Sequence, residues 1–127
     1  MGIIHRFVGK EYDFNWEGAI PRDYLKPGTK DSTGKVIIGK ADGAKNFIFR
    51  YFRVEPGGWT SLESHSHDHG IFILHGRAQI LLGEEKLEVG PRDVIFIPPN
   101  EVHQLIPIGD ESLGFLCVIP PKEKELG

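Results

Sequence analysis

Cysteine is nearly absent from this chain: Cys117 is the only one in 127 residues. A single thiol excludes an internal disulfide framework, and its place in the apolar run Phe115-Leu116-Cys117-Val118 reads as a small buried side chain. Long apolar runs are missing too, since no stretch approaches the roughly 18 residues that a membrane-spanning helix needs. The start, Met1-Gly2-Ile3-Ile4-His5-Arg6, lacks the apolar centre of a signal peptide, and Arg6 stands where a myristoylation motif carries Ser or Thr. Charge of one sign is not in excess either. Fifteen Lys and Arg against 18 Asp and Glu leave a net charge of -3, which excludes a polycationic surface for nucleic acid or an anionic membrane. A soluble, cytoplasmic protein without nucleic-acid or membrane partners is expected.

Helical periodicity is the next absence. No window of eleven or more residues carries a clean 3.6-residue period, and 16 Gly with 9 Pro make the chain turn-rich, which argues against a helical bundle. Hydrophobic residues at 39% still suffice for a core, and the length accommodates one domain. Residues 1–35 read as irregular, broken by Pro21, Pro27-Gly28 and Asp31-Ser32-Thr33-Gly34. Phe7, Tyr12, Phe14, Trp16 and Tyr24 are scattered through this stretch, so it is expected to lie as an arm on the domain or on a partner. From residue 36 to 121 strand follows strand. Asn46–Glu55 should end at Pro56-Gly57-Gly58, while Ile71–Leu74 and Arg77–Leu82 flank His75-Gly76, read as a two-residue hairpin turn with a solvated His75. Lys86–Val89, Asp93–Pro98, Val102–Ile108 and Leu113–Ile119 complete the series. Residues 122–127 read as a solvated tail. An all-β, antiparallel sandwich or barrel is predicted.

Phe47, Phe49 and Tyr51 alternate with Ile48, Arg50, Phe52 and Val54, so both faces of that strand are largely apolar and the outer one needs cover. The arm or a second copy of the chain would supply it, and a homodimer is expected. Phe72, Leu74, Phe96 and Leu105 are candidates to line the interior. Arg50 and Arg53 lie on opposite faces and are each expected in an outward salt bridge, although one could reach inward to an anion.

The chemistry-bearing cluster is Glu63-Ser64-His65-Ser66-His67-Asp68-His69. In a strand, Glu63, His65, His67 and His69 start out on one face. Such a face is either solvated or converges on a cation that makes burial tolerable. Positions four apart in a straight strand are separated by roughly 13 Å, too far to share a metal with bonds near ~2.1 Å. A shared ion therefore requires a bend at Ser66-His67-Asp68. His103 opens a later strand after the stiff turn Pro98-Pro99-Asn100 and is well placed to add a ligand from across a small barrel.

With these motifs in view, the chain resembles the cupins. Gly57, Glu63, His65, His69 and Gly76 have the spacing of the first cupin motif, and Gly90, Asp93, Pro98-Pro99-Asn100 and His103 are similar to the second. The resemblance implies a jelly-roll barrel (the cupin double-stranded β-helix) as a single domain, and one divalent transition metal ion (Mn, Fe, Ni, Co or Zn). Read without a gap, it implies Glu63, His65, His69 and His103 as ligands, with Glu and His exchanged relative to the common pattern. Read with a gap, His67 replaces Glu63. Three functions follow from such a site: a metal-dependent oxidoreductase, dioxygenase-like, or lyase acting on a small oxygenated organic substrate; a small-molecule or metal sensor; or a chain whose metal is structural only. The catalytic residues themselves are not identifiable from the sequence.

Overall fold

The computed structural model describes residues 1–22 and 27–121; Tyr24 and the expected tail, 122–127, lie outside the described residues. The strands pair antiparallel throughout, with a single 3-10 turn at Lys40–Asp42 as the helical element among the described residues. The strands are β1 (Ile20–Arg22), β2 (Lys30–Ile38), β3 (Ile48–Trp59), β4 (His69–His75), β5 (Arg77–Leu82), β6 (Glu85–Val89), β7 (Val94–Ile97), β8 (His103–Ile108) and β9 (Leu113–Ile119). They form a six-stranded sheet in the order β1-β2-β3-β9-β4-β7 and a three-stranded sheet in the order β6-β5-β8.

The core lies between the sheets and is built by alternation. Ile48, Phe52 and Val54 of β3, Ile71 and Ile73 of β4, Ile95 and Ile97 of β7, and Leu113, Phe115, Cys117 and Ile119 of β9 face Ala78, Ile80 and Leu105 of the smaller sheet. β-branched side chains dominate because they pack well on a pleated surface. Full burial of each Ile is worth about 1.5–3 kcal/mol. Cys117 is a buried free thiol within this set.

The structure corrects four sequence expectations. First, residues 20–22, with the breaker Pro21, and 30–35 are strand: the breakers of β2 sit in bulges, with Asp31 at a φ of 51° beside a register shift between Lys30 and Ser32. Gly34 is there because Phe52 lies over it, and an added Cβ would come within 2.8 Å of that ring. Second, β3 runs through Pro56-Gly57-Gly58 to Trp59; these residues are accommodated by the same shift, with Gly57 at a φ of 86°. Third, β4 and β5 form no hairpin. β4 pairs with β7 and β9, and β5 with β6 and β8, so His75-Gly76 is the corner at which the chain changes sheets. Gly76 has a φ of 74°, and a Cβ there would meet Ser112 O at 2.2 Å. His75 is accordingly buried rather than solvated. Fourth, Phe72 and Phe96 point outward with 37% and 63% exposure, leaving Ile71, Ile73, Ile95 and Ile97 inside. Leu105 is the interior candidate that does face the core.

The aromatic residues before β1 pack on the outer face of β3. Phe14 stacks on Tyr51 at 6.1 Å, and Trp16 meets the same ring edge-on at 5.3 Å. Arg53 Nε donates to Tyr12 O at 2.7 Å, and Lys35 Nζ donates to Phe14 O at 3.3 Å. Arg53 also pairs with Glu55, as an outward salt bridge should.

Candidate metal centre

The segment after β3 crosses from one sheet to the other and carries the cluster with it. Thr60 N–H donates to Leu105 O at 3.0 Å. Glu63 and His103 then exchange backbone hydrogen bonds of 3.1 and 2.9 Å. The chain bends at Ser66-His67, and His69 opens β4. The turn Pro98-Pro99-Asn100 holds this bend from the other side: Asn100 N–H donates to His65 O, and Ser64 Oγ donates to Asn100 O at 2.8 Å. Asn100 has a φ of 69°, a left-handed conformation that Asn tolerates better than most residues.

This scaffold brings His65, His69 and His103 together, with one ligand-capable nitrogen from each inside a mutual distance of 4.8 Å. His69 comes from the larger sheet and His103 from the smaller, and both are buried to 6% exposure. Burial and the neighbouring histidines His103, His67 and His65, with Arg50 last, push the His69 pKa down to about 3, so its imidazole is neutral. His103 Nδ1–H donates to Glu101 O at 3.0 Å, which leaves Nε2 as its lone-pair nitrogen. His69 Nδ1 is buried without a hydrogen-bond partner. An orphaned buried nitrogen is costly unless it gains a partner.

Glu63 and His67 border this trio in different ways. His65 Nε2 lies 3.0 Å from Glu63 Oε1, about the spacing of two adjacent donors around an ion with bonds near ~2.1 Å. Ser61 Oγ donates to the other carboxylate oxygen at 2.8 Å. The His67 ring stacks on His65 at 4.9 Å and approaches His69 at 4.6 Å, while its Nδ1–H donates to the adjacent Asp68 O. Three imidazoles with an adjoining carboxylate fit a first-row divalent ion. Bound there, such an ion would act as a Lewis acid toward substrate oxygen.

Two residues near the site were missed or misplaced by sequence reasoning. Ser61, two residues before Glu63 and therefore on the same face, is the carboxylate's anchor; the alternation could have found it. Arg50 is not in an outward salt bridge but faces the interior at 8% exposure.

Among the described residues, no helix is long and apolar enough to cross a membrane. The model of the cupin domain matches residues 50–119. The 1-methylthio-D-xylulose 5-phosphate methylsulfurylase of Rhodospirillum rubrum is 35% identical over 84% of this chain and 69% of its own length. The polyketide cyclase RemF of Streptomyces resistomycificus superposes with a TM-score of 0.76 at 32% identity, covering 83% of this chain and 75% of that one. A cupin-2 domain protein of Rhodospirillum rubrum gives a TM-score of 0.76 at 33% identity over 95% of this chain and 86% of its own. A matched model spanning both motifs, with the same two-sheet architecture in solved relatives, makes this chain a member of the cupin family.

Proposed function

We propose that the protein is a divalent-metal enzyme acting on a small oxygenated organic substrate with an enolisable carbonyl. The observation that carries this reading is the convergence of His65, His69 and His103 from two sheets on one point, with His69 Nδ1 buried and unpartnered. Glu63 is the fourth ligand in this reading, because its carboxylate already adjoins His65 Nε2 and its backbone is tied to His103. The relatives at 35% and 32% identity are named for reactions of a keto-sugar phosphate and of a polyketide, which supports a carbonyl substrate. The metal would polarise the substrate oxygen and stabilise the charge that develops on it.

The chain's own contribution is placement and proton handling. His69 and His103, at 6% exposure, form the buried inner side of the site. The Glu101 carbonyl fixes the His103 tautomer, and Ser61 fixes the Glu63 carboxylate. His67, with its Nδ1–H held by Asp68 O, keeps its lone pair on the buried Nε2, and in this reading that nitrogen is the base for the proton on the carbon beside the carbonyl. The expected assembly is a homodimer, with Phe72, Val94 and Phe96 on the outer face of β4 and β7 as its contact.

Elemental analysis of untagged protein should find about one divalent ion per chain, lost in His69→Ala and His103→Ala. The metal-loaded protein should then exchange deuterium into the α-position of one member of a panel of keto acids, keto-sugar phosphates and diketones. Oxygen uptake without such exchange would favour a dioxygenase. Metal-free wild-type protein after incubation with each candidate ion would overturn the reading.

A further inference from the structure

Arg50 is a cation placed where the core offers it almost nothing. It projects from β3 into the space between the sheets, on the same face as Ile48 and Phe52, and is 92% buried. Its register neighbours across the sheet are Cys117 on β9 and, one strand further, Ile71 on β4. One Nη donates to Cys117 Sγ at 3.1 Å, and the guanidinium carbon lies 4.9 Å from the centre of the Phe52 ring. A thiol is a weak acceptor, and a ring face attracts the charge without accepting the in-plane N–H groups. Nε is buried with no hydrogen-bond partner, and no carboxylate pairs with Arg50 among the described residues. His69 lies two residues along β4 from that Ile71, on the same buried face.

Burying a guanidinium without an anion is strongly unfavourable, and a Leu or Met would fill the same space without that penalty. The charge is retained beside a cluster that itself becomes positive when a divalent ion binds. Such an interior attracts an anion, and the Nε edge of Arg50 is a fork waiting for one.

We infer that Arg50 binds an oxyanion of the small-molecule ligand, a carboxylate or phosphoryl oxygen held at Nε, inside the fold and beside the histidine cluster. Resting on the function proposed above, this narrows the substrate to an acidic one, with its carbonyl toward the histidines and its anionic end on Arg50. Arg50 is then a specificity-determining residue. Neutral ketones of the same size should bind poorly.

Calorimetric titration of malonate and of inorganic phosphate tests this, in both EDTA-treated and Mn²⁺-loaded protein, for the wild type, Arg50→Lys and Arg50→Met. The wild type should bind at least one of the two anions, malonate marking a carboxylate site and phosphate a phosphoryl site. Arg50→Met should weaken binding at least 10-fold in both metal states, and Arg50→Lys should fall between, since it keeps the charge but loses the fork. Wild type that binds neither anion, or folded Arg50→Met that binds as tightly as wild type, overturns the inference. If Arg50→Met does not fold, the arginine Nε–Hε resonance that Arg50→Lys lacks should shift when either anion is added to wild type; an unmoved resonance overturns it equally. The metal-free arm separates the two readings. A protein that takes up no metal yet binds anion through Arg50 sinks only the metal-enzyme reading. One that holds metal but shows no Arg50 dependence sinks only this inference.

Discussion

The phenol of Tyr51 donates to His75 Nε2 across 2.6 Å, joining the outer face of β3 to the corner between the two sheets. The bond belongs to a chain. Phe14 N–H donates to the Tyr51 oxygen at 3.2 Å, and His75 Nδ1–H donates to Ser112 O at 3.0 Å. Each group has one role, so the neutral imidazole tautomer is specified. Burial pushes the Tyr51 pKa up to about 12 and is the main cause of the lowered His75 pKa.

Replacing Tyr51 with Phe leaves the ring in place and removes only the oxygen. The buried Nε2 of His75 and the Phe14 amide both lose a partner. We expect a loss of about 1–3 kcal/mol, the range for an unsatisfied buried polar group, read as a lower urea midpoint. Metal content should not change, because the pair lies on the outside of β3.

The close fit at this corner makes a second test. A Cβ on Gly114 would lie 1.9 Å from His75 Nε2, and the imidazole is held at both ring nitrogens. Gly114→Ala should therefore cost about 1–3 kcal/mol or more, as overpacking does. Thermal melts of the two single variants and their double variant should show strong non-additivity with Tyr51→Phe.

Stability should fall on acidification of metal-free protein. His75 and His69 both have folded pKa values lowered below the 6.5 of the unfolded chain, that of His69 to about 3. Below pH 6.5 the unfolded chain binds protons that the native one does not, so each stabilises fully above 6.5 and less as pH drops. His5, on Asp42 and the Glu17 carbonyl, is raised and acts in the opposite sense, losing its contribution as pH rises through its folded value. Urea midpoints should decline from pH 7 to pH 5, more gently in His75→Gln. A flat profile would show that neither imidazole is held neutral.

Metal retention ranks the ligands. After equal dialysis, His65→Ala, His69→Ala, His103→Ala and Glu63→Ala should lose the ion. His67→Ala should weaken it no more than about 10- to 100-fold, as loss of an orienting neighbour does. Reversal of the Glu63 and His67 results would make the site all-histidine. Affinity should fall on acidification, because protons compete with the ion for the imidazole and carboxylate ligands.

Association is checked by sedimentation. Phe96 at 63% exposure and Val94 at 74% lie on β7, at the edge of the larger sheet. Phe96→Glu should convert a dimer into a monomer at micromolar concentration, and a monomeric wild type would remove the homodimer proposal.

Local pattern alone determined a good deal of this protein. Short apolar runs closed by turn residues placed β5 and β9 to the residue, because Gly, Pro, Asn and Asp interrupt a strand locally. The spacing of His65, His69 and His103 about a necessary bend announced a point of convergence, since the rise of a strand forbids any other way for the first two to meet. Tertiary structure decided what pairing and burial decide. His75-Gly76 has the composition of a hairpin turn, yet the Ser112 carbonyl against Gly76 and the hydrogen bonds from His75 to Tyr51 and Ser112 make it a corner between sheets. The breakers of β2 became bulges only because β3 was there to pair with them. Arg50 reads as a surface charge in sequence, because its one polar contact inside the fold, Cys117, lies 67 residues along the chain. Such long-range partners leave no local period, and only the folded sheets bring them into contact.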